Sequence, residues 1–97
     1  MLRTVPVLGL PDGEDTIVIA SNFGRPHNPA WYYNLRANPN ATIVVDGVRR
    51  EVVARELSGS DREREYQRGE EIFPAFTHYR HWATNRKIPV LRLEPLH

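Results

Sequence analysis

The stretch that decides the fold reads Thr16-Ile17-Val18-Ile19-Ala20-Ser21-Asn22-Phe23-Gly24-Arg25-Pro26-His27-Asn28-Pro29-Ala30-Trp31-Tyr32-Tyr33-Asn34-Leu35-Arg36. Its opening, Thr16 to Ser21, is apolar on consecutive positions, the pattern of a strand buried on both faces. Asn22 to Asn28 then collects Gly24, Pro26, His27 and two asparagines, a loop composition. Asn28 suits a helix N-cap, and Pro29 suits the first turn, where its missing N–H costs nothing. A helix follows through Arg36 and stops near Asn38-Pro39. Trp31, Asn34 and Leu35 recur at i, i+3, i+4, so they share one face of it.

Upstream, Arg3 to Leu10 reads as a strand bounded by the turn Pro11-Asp12-Gly13-Glu14. The short connection to Thr16 makes the two strands an antiparallel hairpin. Downstream, Ala41 to Val45 and Val48 to Leu57 flank Asp46-Gly47, a strong two-residue hairpin signal. Ser60-Asp61-Arg62-Glu63 fits a capping box with Ser60 at the N-cap, which predicts a helix to about Glu71, interrupted at Gly69. Pro74 opens a second helical stretch, Ala75 to about Thr84. Ile88 to Leu93 is a fifth strand, and Pro89 places that position at an edge or a strand start. The order β-β-α-β-β-α-α-β predicts an α+β domain, a small antiparallel barrel with helices inserted between hairpins.

The chain has 97 residues, enough for one domain, residues 1–97, and not for two. A chain this short buries only about two-thirds of its unfolded surface, which favours a site at a surface or subunit interface. Without cysteine, disulfides, thiolate metal sites and thiol nucleophiles are excluded. Thirteen basic residues against 12 acidic ones leave a net charge of +1, without the concentrated basic surface of a nucleic-acid binder. There is no transmembrane run, and Met1-Leu2-Arg3-Thr4 lacks the layout of a signal peptide, so a cytoplasmic location is expected.

Several chemistries are weak on these residues. His78 and His81 stand three apart with no evident third ligand, so no metal site is expected. Ser21 is flanked by Ile19 and Phe23 rather than the glycines of a nucleophile elbow. No G-x-x-x-x-G-K-S/T and no G-x-G-x-x-G occurs. Yet Ser21 to Arg25 lies between a buried strand and a helix N-terminus, a place where backbone amides bind anions. Arg3 on the neighbouring strand would add a positive fork. Trp31-Tyr32-Tyr33 sit together, and Phe73, Phe76 and Tyr79 recur every three residues, with Trp82 next. Such a stripe reads first as core packing and second as the wall of a pocket for a planar ring.

The block Val18 to Pro39 resembles the signature of the deazaflavin-dependent nitroreductase family, V-A-S-x-G-G followed by H-P-A-W-Y-x-N-L-x-A-N-P. Arg86-Lys87-Ile88-Pro89-Val90-Leu91-Arg92-Leu93-Glu94-Pro95 resembles its ending R-x-I-P-V-V-x-L-E-P, and Phe73-Pro74-Ala75-Phe76-Thr77-His78-Tyr79 its Y-P-x-Y-x-x-Y segment. The resemblance covers essentially the whole chain. It implies a split β-barrel, like those that bind FMN; the sheet edge that a truncated barrel leaves unpaired, and aromatic content beyond what a small core hides, predict a homodimer. The resemblance also implies coenzyme F420, a deazaflavin with a phosphodiester and an oligoglutamate tail, in preference to FMN.

Residue by residue, the resemblance places Arg3, Thr4, Pro6, Ala20, Ser21, Asn22, Ala30, Trp31, Tyr32, Asn34 and Phe76 against the cofactor. It places Leu8, Trp31, Phe73, Phe76 and Tyr79 against the substrate, with Ser21 and Tyr79 as the catalytic hydroxyls. Three departures stand out. Phe73 and Phe76 replace tyrosines, Leu8 stands where a tyrosine can occur, and the N-terminal segment with its G-R-K-S/T-G turn is expected to be missing. The implied activity is hydride transfer from reduced F420 to a planar, electron-poor acceptor such as a quinone, an enone or a nitroaromatic. The alternative is a barrel that binds F420, a flavin or a tetrapyrrole without turnover.

Overall fold

The computed structural model describes residues 9–22, 27–82 and 87–96, apart from the side chains of 80–82. Its elements are β1 (Gly9–Asp12), β2 (Asp15–Ile19), α1 (Ala30–Ala37), β3 (Asn40–Val45), β4 (Val48–Glu56), α2 (Gly59–Ile72), α3 (Ala75–Trp82) and β5 (Val90–Pro95). This is the order read from the sequence. The five strands form one sheet in the order β1-β2-β5-β4-β3, and every neighbouring pair is antiparallel. The architecture is α+β.

Side-chain alternation along β2 builds two cores, one on each face. Ile17 and Ile19 join Leu10, Leu57, Tyr66, Phe76, Ile88 and Val90 on the side of α2 and α3. Val18 and Ala20 join Tyr32, Val52, Leu91 and Leu93 on the side of α1, with Trp31, Leu35, Ala41, Ile43 and Ala54 packed around them. A strand with both faces covered must be apolar at successive positions, and Ile17 to Ala20 are all buried. β5 obeys the same rule: Val90 serves the first core, and Leu91 and Leu93 serve the second.

Several local expectations are corrected. The first turn is only Gly13-Glu14, because Pro11 and Asp12 remain in β1 and pair with Thr16 and Asp15. An edge strand tolerates Pro11, which has no N–H to offer a neighbour. Pro29, rather than Asn28, is the N-cap of α1, and no side chain caps that end. Helix α2 begins at Gly59 behind Ser58, so the capping box at Ser60 does not form. The helix also runs through Gly69 without interruption. A Cβ there would stand 2.6 Å from Ile19 Cδ1, so the missing side chain lets α2 lie close against the sheet. β5 starts at Val90 and lies in the middle of the sheet; Pro89 precedes it. The Asp46-Gly47 hairpin forms as read, both residues having positive φ (52° and 80°) as a type I′ turn requires.

Charge ties the outer hairpin to this frame. Arg92 on β5 reaches Asp12 at 2.8 Å and Asp15 at 2.9 Å, and lies 3.8 Å from Glu65. Its hydrogen bond to Asp15 is the largest of the effects that hold its pKa above the ordinary arginine value. Glu65 on α2 is 2% exposed and pairs with Arg68, whose Nη2 donates to the Pro11 carbonyl at 2.8 Å.

The aromatic stripe divides. Phe73 is exposed, Phe76 is buried and Tyr79 packs on the first core from its margin. Phe76 meets the rings of Tyr66, Phe73 and Tyr79 edge-on or tilted. Its carbonyl accepts a 2.6 Å hydrogen bond from the Tyr66 hydroxyl. Phe76→Ala should therefore cost about 3–5 kcal/mol of stability through the cavity it leaves. Urea denaturation checks this; a loss under about 1 kcal/mol would remove Phe76 from the core.

Candidate active site

The last rung between β2 and β5 pairs Ile19 with Val90. Beyond it the Ala20 N–H donates to the Pro89 carbonyl at 2.9 Å. The end of β2 is thereby bound to the segment that leads into β5. Ser21, 9% exposed, follows at once, and Asn22 turns the chain with φ 48°. The Asn22 amide donates to the His27 carbonyl at 2.9 Å, closing the loop that precedes α1.

Two side chains organise the neighbouring cleft. The Tyr32 ring is buried in the second core, and its hydroxyl donates to Glu56 Oε1 at 2.7 Å. Arg62, 5% exposed, donates from Nε (3.2 Å) and Nη2 (2.6 Å) to the Ile88 carbonyl and also pairs with Glu63. Its guanidinium lies over the Tyr66 ring, 5.2 Å from the centroid. Together they bound a cleft of about 200 Å³ lined by Asn28, Tyr32, Glu56, Leu57, Ser58, Arg62, Lys87, Ile88 and Pro89.

The residues singled out by sequence fall as follows. Arg3, Thr4, Pro6 and Leu8 lie outside the described residues. Ala20 is fully buried and its N–H is bonded to the Pro89 carbonyl, so it presents no surface to a ligand. The Asn22 amide is engaged with its own loop, and the Tyr32 hydroxyl with Glu56. Ala30 and Asn34 are exposed, and Trp31 is partly buried beside the second core. Trp31 and Phe76 stand on opposite faces of the sheet. Trp31 shares a core with Val18 and Ala20, and Phe76 shares one with Ile19, so both approach the end of β2 where Ser21 emerges.

Glu56, Ser58, Arg62 and Lys87 in the cleft were not singled out. Lys87 carried a signal, being the only lysine of the chain and part of the Arg86 to Pro95 block. Glu56 carried none, since its partner Tyr32 is 24 residues away.

With this geometry in place, comparison with known proteins is direct. The model of the F420H2-dependent quinone reductase family matches residues 1–95. The chain belongs to this family. A Mycobacterium tuberculosis protein carrying the name of an F420H2-dependent quinone reductase is 38% identical over 90 residues, which are 93% of this chain and 75% of that one. An F420H2-dependent quinone reductase of the same organism is 34% identical over 96 residues, with 94% of this chain covered and 62% of the relative. The solved structure of an F420-H2 dependent reductase superposes with a TM-score of 0.87 at 32% identity, over 95% of this chain and 81% of that one. Another solved chain, described as a domain-swapped dimer, gives the same score at 31% identity, over 95% and 69%. The fold is split-barrel-like, and the family is one of oxidoreductases with coenzyme F420 as cofactor.

The residues of the site fit such a group. Its flat ring would need a wall, and the partly buried Trp31, packed beside the second core, is an aromatic side chain able to form one. Its anionic tail needs a cation, which the exposed Lys87 supplies at the cleft.

Tyr32 gives the site a titration signature. Burial above all, then the hydrogen bond to Glu56 and the Glu56 charge, raise its pKa, while Arg36 opposes them. The raised value favours the protonated phenol, so this contribution to stability is complete below the unfolded-state pKa and is lost as pH rises through the folded one. In a 295 nm absorbance titration the Tyr32→Phe variant should lack a late-ionising tyrosine present in the parent. An unchanged alkaline limb would contradict the Tyr32–Glu56 arrangement.

Proposed function

We propose that the protein reduces quinones with reduced F420 bound at the end of the sheet, where β2 gives way to Ser21 and α1 begins. The observation that carries this reading is the Ala20 N–H to Pro89 O bond. It joins the two sequence blocks that most resemble the family, Val18 to Pro39 and Arg86 to Pro95, at one point of the fold.

Bound there, reduced F420 supplies a hydride from its ring C5. The protein's own groups do the rest. Trp31 walls the ring from the α1 side. Ser21, held at the end of a buried strand, orients an acceptor oxygen. Tyr79, at the margin of the first core, donates a hydrogen bond to the oxygen on which negative charge develops. Hydride addition to a quinone followed by one proton from solvent gives the hydroquinone, so atoms and electrons balance. Phe76 packs edge-on against Tyr79 from within the first core, and likewise against the exposed Phe73. Lys87 at the cleft adds a cation for the anionic tail; the family resemblance adds Asn22, Arg3, Thr4 and Pro6 as cofactor contacts, the last three outside the described residues. Ala30 and Asn34 are exposed on α1 and contribute shape there, Ala20 supports that helix from the second core, and Leu8, assigned to the substrate by resemblance, lies outside the described residues. Enones and nitroaromatics are secondary acceptors, since in the aromatic stripe, where Phe73 and Phe76 carry no hydroxyl, Tyr79 is the one donor and a quinone carbonyl needs no more.

We place the working protein in the cytosol as a homodimer; among the described residues no helix is long and apolar enough to cross a membrane. The dimer reading rests on the edge strand β3 and its hairpin, where Val44, Val45 and Val48 are exposed. It also rests on the domain-swapped state of a solved relative.

Anaerobic oxidation of reduced F420 by menadione tests the activity, with light scattering on the same sample reporting its mass. Ser21→Ala and Tyr79→Phe should each lower kcat/KM by about tenfold or more, or 1.4 kcal/mol, while the affinity for F420 stays within that factor. No menadione-dependent oxidation, or variants as active as the parent, would overturn the reading.

A further inference from the structure

Helix α1 has little to hold it by itself. Eight residues are too few for an isolated helix to persist in water. Its N-cap is Pro29 with no side-chain hydrogen bond, its first turn has no acidic residue, and Tyr32 is its only buried residue. Trp31 and Leu35 pack beside the same core, so α1 is held by apolar contacts, of which Tyr32 is the deepest. A ring in an apolar cluster resists withdrawal but permits sliding and rotation, because apolar packing is non-directional. A hydrogen bond is directional, and the Tyr32 hydroxyl donates one, 2.7 Å long, to Glu56 at the end of β4.

Glu56 is well placed to act as a fixed post. Its backbone register partner is Leu91 on the central strand β5. Leu57 beside it donates its N–H to the Val90 carbonyl at 2.8 Å. Trp31 precedes Tyr32 by one residue, about 100° around the helix, so fixing Tyr32 fixes the direction of Trp31.

We infer that Glu56 is a positioning residue, which sets the rotation of α1 through Tyr32 and so holds Trp31 in place as the ring wall. The part of this that concerns F420 rests on the functional reading above; the part that concerns Trp31 does not.

The test uses the full chain in a Trp82→Phe background, in which Trp31 is the only tryptophan. Acrylamide quenching of Trp31 and fluorescence titration with F420 are measured for Glu56→Ala, Glu56→Gln, Tyr32→Phe and the Glu56→Ala/Tyr32→Phe double variant. Glu56→Ala and Tyr32→Phe should each expose Trp31 to quencher and weaken F420 by about tenfold. Glu56→Gln, whose amide oxygen still accepts, should restore both readouts. The double variant should be no worse than either single one, since both cut the same tie. Glu56 is exposed, so its two variants keep the test decisive even if Tyr32→Phe folds poorly. Unchanged quenching in Glu56→Ala, or equal effects of alanine and glutamine, overturns the inference whatever F420 does. Increased quenching with undiminished F420 affinity supports the tie and instead refutes the placement of the cofactor against α1.

Discussion

The rest of the structure depends on the insertion of β5, the last strand in the chain, between β2 and β4. Until Val90 to Pro95 pairs on both sides, the β1–β2 and β3–β4 hairpins are separate ribbons, each too small to be stable alone. The pairing is distant in sequence, since Ile19 meets Val90, so the loop-closure entropy must be overcome before either core forms. Apolar residues on both faces of β5 offset that cost, with Val90 in one core and Leu91 and Leu93 in the other.

Polar groups secure the same strand at its approach and along its length. At its beginning, the Pro89 carbonyl receives Ala20 and the Ile88 carbonyl receives Arg62. Within it, Arg92 joins Asp12, Asp15 and Glu65. A half-buried charge cluster adds less net stability than its Coulomb attraction suggests, because each ion loses part of its water; it does penalise any arrangement that leaves one charge unpaired. Its contribution here is to the register of β1 and β2 beneath α2. The segment before β5, held by these bonds, lines the cleft, so the geometry of the site follows directly from the requirement that closes the fold.

Much of this was legible in the residues. The consecutive apolar run Ile17 to Ala20 showed a strand covered on both sides, and Asp46-Gly47 showed a hairpin. The order of elements followed from such local signals. What was not legible lay in contacts between distant segments. The central position of β5 could not be read from Pro89, which only excluded that residue from a ladder. Gly69 looked like a helix breaker because its role is to admit Ile19, a residue fifty positions earlier. Phe73, Phe76 and Tyr79 share a spacing but not a helix: Phe73 caps the end of α2 and is exposed, while on α3 only Phe76 is fully buried. In the site, Ser21 and Trp31 came from a contiguous signature, whereas Glu56 and Arg62 act through partners 24 and 26 residues away and left no local pattern.

The central claim is that the end of this sheet is shaped for a deazaflavin with an anionic tail. Its most direct test is a pair of parallel fluorescence titrations of the purified chain, one with F420 and one with FMN, at the same ionic strength. Tighter binding of F420, with an affinity that falls as salt is added because cations hold its tail, is the predicted result. Equal or tighter binding of FMN would contradict it.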